Sequence, residues 1–185
     1  MSNSKIKFKN ISKFLSYVLR HCPEDIDLDL DSEGWACISE LISKAQPKMQ
    51  LTKSLIVEVV STSDKQRFKI SDDGLKIRAN QGHSIKVDLN LEPQEPPTVL
   101  YHGTAKQFLD SIMDKGLIPG KRHHVHLSTD IATASAVGQR HGKPTILKVN
   151  SASMFKQGYK FYISNNNIWL VDSVPPKYLY LENKT

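Results

Sequence analysis

Residues 67–79, "RFKISDDGLKIRA", decide how the first half of the chain folds. Phe68 and Ile70 alternate with polar residues, Asp72-Asp73-Gly74 reads as a turn, and "KIRA" (76–79) resumes the alternation. Apolar residues at period two on both sides of a glycine-bearing turn predict a β-hairpin. What precedes it reads as helix. Ile11, Phe14, Leu15 and Val18 recur at helical spacing, and Pro23 stops that run. In "GWACISELISKA" (34–45), Trp35, Ile38, Leu41 and Ile42 repeat the pattern, with Ser39 as the expected cap. "TKSLIVEVVSTS" (52–63) adds Leu55, Ile56, Val59 and Val60 behind Thr52, a hydroxyl suited to an N-cap.

Three short helices followed by a hairpin resemble a winged-helix module, in which a helix and the hairpin offer basic side chains to nucleic acid. The segment "LNLEPQEPPTVL" (89–100) then breaks the pattern. Pro93, Pro96 and Pro97 forbid helix and favour an extended connector, so a lobe of residues 1–92 and a lobe of residues 93–185 are expected. The second lobe opens with the strand "TVLYHGT" and the helix "AKQFLDSIMDKG", closed by Gly116. After it come "HVHLST", a helix over "DIATASAVGQR", and the strands "TILKVN", "KFYIS" and "IWLVD". The fold class is α+β, with the site expected on loops and strand ends.

Composition narrows the classes of function. The chain of 185 residues is 39% hydrophobic and 24% charged, which suits a folded core. No apolar run approaches the roughly 18–20 residues that cross a bilayer. "MSNSKIKFKN" lacks the apolar centre of a secretory signal. Cys22 and Cys37 form no disulfide framework, which points to a reducing, cytoplasmic setting while leaving one bridge possible. Net charge is +6, and acids concentrate in "EDIDLDLDSE" (24–33). Outside that run the chain is strongly basic, as steering toward a polyanion requires. The same charge also suits any soluble protein of high pI.

Several stretches carry possible chemistry. Arg20 and His21 end the first helix, where cations stabilise the helix dipole by roughly 0.3–1 kcal/mol or bind an anion. On a regular helix they point to opposite sides. Arg67 opens the hairpin and Arg140 ends "AVGQR". Singly each is a surface arginine; together the four cations suit a phosphate, because a guanidinium matches two phosphate oxygens at once. In "LYHGT" (100–104), Gly103 lets a flat group reach the backbone, whose N–H and C=O can pair with an amide, and His102 supplies a hydrogen bond to a ribose. "RHHVHLS" (122–128) puts His124, His126 and Ser128 on one face of a strand, but with no third metal ligand nearby, so hydrogen bonding to a polar ligand is preferred to metal. In "IRANQGHS" (77–84), Arg78, Asn80, Gln81 and His83 either line a groove or solvate a loop. No glycine-rich phosphate motif of the Walker or Rossmann kind occurs.

Taken in order, "SKFLSYVLRH", "LDSEGWACISELI", "RFKI", "IRANQGHS", "LYHGT", "HVHLS", "GQR" and "WLVDSVPPKYL" resemble the KptA-type RNA 2′-phosphotransferases along nearly the whole chain. The resemblance implies a winged-helix RNA lobe followed by an ADP-ribosyltransferase-like lobe that takes NAD⁺ as co-substrate. It implies removal of an internal 2′-phosphate from a tRNA-like RNA through a 2′-phospho-ADP-ribosylated RNA, giving 2′-hydroxyl RNA, nicotinamide and ADP-ribose 1″,2″-cyclic phosphate. The catalytic positions it implies are Arg20, His21, Arg67 and Arg140, with His102, Gly103, Thr104, His126 and Ser128 holding NAD⁺. A monomer without a metal or membrane partner is expected. One departure concerns "SNNNIWL", where Asn167 stands in place of the family's glycine; asparagine tolerates positive φ better than most residues. Two rivals remain at this level: an ADP-ribosyltransferase acting on terminal nucleic-acid phosphates, and a winged-helix regulator without chemistry.

Overall fold

The apolar stripe of residues 11–18 lies on one helix, α1 (Asn3–Arg20). This computed structural model of the protein describes residues 3–182, apart from the side chains of residues 3–5 and 141. Ile11, Leu15, Val18 and Leu19 of α1 are buried, and a 3₁₀ turn beginning at Pro23 (Pro23–Ile26) follows the helix, as the missing N–H of proline dictates. Next comes a two-residue strand, β1 (Ala36–Cys37), that runs directly into α2 (Ile38–Lys44). The helix expected across residues 34–45 is therefore shorter. Cys37 takes the N-cap position with no side-chain bond, and Ser39, the expected cap, lies inside the helix with its hydroxyl 3.1 Å from the Cys37 thiol. Two residues carry no readable periodicity; partners from a distant strand settle their conformation.

Thr52 caps α3 (Lys53–Ser61) as expected, its hydroxyl accepting from Leu55 N at 3.2 Å. The hairpin forms where alternation puts it. In β2 (Phe68–Ile70) and β3 (Lys76–Ala79), Phe68 faces Ala79 and Ile70 faces Ile77; β1 joins the other edge, giving the antiparallel order β1-β3-β2. Leu15, Leu19, Leu41, Ile56 and Ile77 are fully buried under it, and each such side chain contributes roughly 1.5–3 kcal/mol. Backbone packing closes this first unit as Met1–Asn90; the second is Leu91–Thr185.

The second unit contains two three-stranded antiparallel sheets. The first has the order β4-β6-β9, from β4 (Leu100–Ala105), β6 (Pro144–Val149) and β9 (Leu179–Leu181). The second has the order β5-β8-β7, from β5 (Val125–Leu127), β8 (Trp169–Val171) and β7 (Phe161–Ile163). A backbone bridge links the sheets, in which Tyr101 and Ser128 exchange two 2.8 Å bonds. Helices α4 (Leu109–Lys115), α5 (Ile131–Gly138) and α6 (Ser151–Lys156) complete the unit. The run 105–116 is divided between a 3₁₀ turn, Lys106–Phe108, and α4. Gly116 closes α4 at φ +82, and a Cβ there would lie 2.2 Å from the Val174 carbonyl, so only glycine fits. Leu100, Leu127, Leu147, Met154 and Phe161 form the fully buried core. Asn167 adopts φ +59 in the turn between β7 and β8, the conformation the asparagine was expected to accept.

Candidate functional site

In the first unit, three of the expected site residues meet around the loop that leaves β3. Arg20 ends α1 with its guanidinium over the Phe68 ring, 5.8 Å from the centroid, and donates from Nη2 to the Arg67 carbonyl at 3.2 Å. His21 places Nδ1 2.9 Å from the Ser84 hydroxyl. Ser84 is tied down in turn, its N–H donating to the Arg20 carbonyl at 2.9 Å. Asn80 closes the arrangement: its N–H donates to Arg67 O at 2.9 Å, and its side-chain amide donates to Gln66 O. Gly82 lies beside Arg20, where a Cβ would stand 3.7 Å from Nη1. On a regular helix Arg20 and His21 diverge; the loop 80–84 reconciles them by reaching both. Arg67 is half-buried at the start of β2.

The stretch "IRANQGHS" neither lines a groove as a whole nor merely solvates a loop. Arg78, Asn80 and His83 are buried at 9%, 5% and 3% exposure. Arg78 stacks on Trp35 at 4.6 Å and stands 3.6 Å from the Glu33 carboxylate. Of these residues, Asn80 joins the cluster through the Arg67 carbonyl, while Arg78 ties β3 to the segment before β1.

In the second unit, His102, Gly103 and Thr104 follow the bridged Tyr101 along β4, and His126 and Ser128 lie on and just after β5 beside it. His102 Nδ1 is 3.1 Å from the His126 carbonyl, an atom that can only accept, so Nδ1 carries the proton and Nε2 is left as an acceptor. Burial holds the His102 imidazole below its ordinary 6.5, a shift that the bond to His126 opposes without cancelling. At neutral pH this ring is an uncharged acceptor. Thr104 and Ser128 are buried at 6% and 8% exposure. The peptide groups of residues 101 and 103 point the same way along β4, because the ladder alternates; since Tyr101 faces Ser128, the N–H and C=O of Gly103 also face away from β6.

Gly103 itself needs a different account from the close ligand approach read in the sequence. A Cβ at this position would stand 1.6 Å from the Ala134 carbonyl oxygen of α5. A Cβ on Gly138 would meet Thr104 O at 2.6 Å. The two glycines let α5 lie directly on β4, so helix packing explains the missing side chain, while the backbone of Gly103 still faces the open edge. Arg140 sits exposed on the turn Gln139–His141 that continues α5 and packs against β4. His124 and His126 have separate partners: His124 Nε2 is 3.6 Å from Asp172 and its ring meets Tyr162 edge-on, whereas Arg122 reaches His126 Nδ1 at 3.4 Å. Among the described residues no three His, Cys, Asp or Glu side chains gather as metal ligands would.

The residues around these two clusters belong to a known sequence family. The family model described as RNA 2'-phosphotransferase, Tpt1 / KptA family, matches residues 7–173. The chain belongs to that family. It is similar to a "Probable RNA 2'-phosphotransferase" of Acaryochloris marina, 58% identical over 173 residues, covering 93% of this chain and 96% of the relative. A protein of the same description from Pectobacterium carotovorum is 56% identical over 181 residues, 97% and 96% of the two chains. One from Agrobacterium fabrum is 55% identical over 169 residues, 91% of each.

As a member of the Tpt1/KptA family the chain shows which residues a motif reading leaves out. Ser84 and Phe68 hold His21 and Arg20, yet a serine and a core phenylalanine carry no chemical signature of that role; Asn80, named from its stretch as a candidate, holds Arg67. Their places inside "IRANQGHS" and "RFKI" were the available signal. Among the described residues no helix is long and apolar enough to cross a membrane.

Proposed function

We propose that the protein removes an internal 2′-phosphate from RNA with NAD⁺ as co-substrate. The helix, short strand, two helices and hairpin of the first unit support a winged-helix reading of that lobe, and the parted sheets of the second support an ADP-ribosyltransferase-like reading. The observation that carries the proposal is the gathering of Arg20, His21 and Arg67, drawn from separate stretches of a Tpt1/KptA-family chain, on one loop. Guanidinium groups beside an imidazole suit a phosphate dianion as ligand.

The residues of the second unit fit NAD⁺ by their donor set. Gly103 offers a backbone N–H and C=O to a carboxamide, neutral His102 offers Nε2 to a ribose hydroxyl, and Thr104, His126 and Ser128 add polar side chains of the types such a ligand needs. NAD⁺ supplies the ribose that takes the phosphate and leaves as nicotinamide and ADP-ribose 1″,2″-cyclic phosphate. The attacking phosphate is anionic from the start, so the chain's first task is orientation, assigned to Arg20 and Arg67. When the phosphorus is attacked, charge grows on its oxygens; Arg20 and Arg67 stabilise it, and His21 handles the proton that passes to the RNA 2′-oxygen, while Arg140 has a catalytic part by family resemblance alone.

A short RNA with one radiolabelled internal 2′-phosphate tests this directly. With NAD⁺, label should move to the cyclic phosphate product; without NAD⁺ it should stay on the RNA. Label retained on an ADP-ribosylated RNA would favour an ADP-ribosyltransferase that stops after one step. Label untouched in both samples would overturn the proposal.

A further inference from the structure

The first unit holds a groove of about 820 Å³ that the chemistry above does not use in full. His21 and Arg67 line it, and from them it runs along α1. One wall is a ridge of α1, Lys9, Lys13, Tyr17 and His21, spaced four residues apart. Such i±4 rows form continuous ridges on a helix, and twelve residues at 1.5 Å each span about 18 Å. The other wall comes from the end of α3 and the turn after it, with Asp64 and Lys65. Lys9, Lys13, Lys65 and Arg67 thus face a single carboxylate in this groove. Tyr17 is 43% exposed on the ridge, with Phe8 also in the lining. Its phenol is pushed up to about 12 by its hydrogen bond to Cys22 and by the charge of Asp25, so it stays neutral.

An elongated cationic groove with an exposed aromatic ring is what a single nucleic-acid strand requires: cations for the backbone, a ring face for a base. A small anion needs neither the length nor the ring. We infer that this groove is a strand track, holding the RNA nucleotides on one side of the 2′-phosphate, with Lys9 and Lys13 against backbone phosphates and Tyr17 stacked on a base. The inference rests on the proposed 2′-phosphotransferase reading and adds to it a length preference and the residues that set it.

The test compares three RNAs with saturating NAD⁺: a dinucleotide carrying one 2′-phosphate, and the same core extended by about six nucleotides on its 5′ or its 3′ side. Extension on one side should lower KM about tenfold or more and leave kcat nearly unchanged. Lys9→Gln with Lys13→Gln should cut the ratio of long-RNA to dinucleotide kcat/KM about tenfold and reduce the salt slope of log KM by about 1.4, two single-strand phosphate contacts. Tyr17→Leu should lose part of the length gain, and Tyr17→Phe should keep it, because stacking needs the ring and not the hydroxyl. A dinucleotide as good as either longer RNA overturns the track. So does a length gain that survives the double lysine change. If no RNA turns over with NAD⁺, the functional reading fails and takes the track with it, an outcome distinct from the other two.

Discussion

Arg20 and His21 show how far a residue's neighbours in space can alter what its neighbours in sequence imply. The helix end favours any cation, yet Arg20 is directed by Phe68 and the Arg67 carbonyl, and His21 by Ser84. Losing a guanidinium that would meet the phosphate removes charge stabilisation that water replaces poorly. Arg67→Ala and Arg140→Ala are each expected to lower kcat for 2′-phosphate removal about a thousandfold, with circular dichroism unchanged; near-normal turnover in either would remove it from the catalytic set. His102 has a different role, since its neutral ring offers one hydrogen bond. His102→Ala should raise the KM for NAD⁺ about tenfold, the worth of one such bond, and saturation curves in NAD⁺ measure it. The two half-buried imidazoles also predict a pH effect on stability. His102 is held below 6.5 by burial; His124 is lowered by burial and His123 against the opposing pull of Asp172. Unfolded, both take up protons near 6.5, and folded only at lower pH. In the interval between, the unfolded chain binds more protons, so stability falls as pH falls and is level above about 7. Urea midpoints at several pH values should show this, and replacing both histidines with glutamine should flatten the slope.

At the scale of elements, the contact between α5 and β4 rests on two absent side chains. Gly103 and Gly138 bring a helix backbone onto a strand backbone, and the clashing partners at 1.6 and 2.6 Å are carbonyl oxygens that cannot rotate away. Gly103→Ala is expected to cost about 3 kcal/mol or more, read as a lower denaturant midpoint, because either α5 or β4 must shift. Loss of activity in that variant would reflect displaced His102 and Thr104, and would be no evidence about ligand approach to residue 103. The hairpin, the Thr52 cap and the Gly116 stop were legible in the sequence because each is a local pattern. The strand β1 was not: Ala36 and Cys37 are extended because Ile77 and Lys76 pair with them. Asn167 was read as a tolerable replacement for glycine, and its φ of +59 agrees.

At the scale of the whole molecule, charge and composition constrain the partner more than the reaction. A net charge of +6 with acids concentrated in one run gives a basic surface elsewhere, suited to RNA. No step assigned to the chain needs a metal ion. Turnover measured after exhaustive treatment with a chelator is therefore expected to match that of the untreated protein; abolition that is reversed by a divalent cation would bring the cluster at residues 122–126 back into consideration as a metal site.

From the sequence alone came the α+β class and most element positions, with the expectation of two lobes divided after residue 92 and of residues whose types suit phosphate and NAD⁺. Each depends on patterns within about four residues or on motifs read in order. The tertiary structure decided that Arg20 and His21 serve one loop despite opposite helical directions, that Gly103 is required by α5, and that a lysine ridge continues from His21. The deciding contacts join residues 47 apart for Arg20 with Arg67 and 63 apart for His21 with Ser84. No local periodicity encodes such pairs. They exist only once burial of the core has closed the intervening chain and made the entropy of that closure affordable.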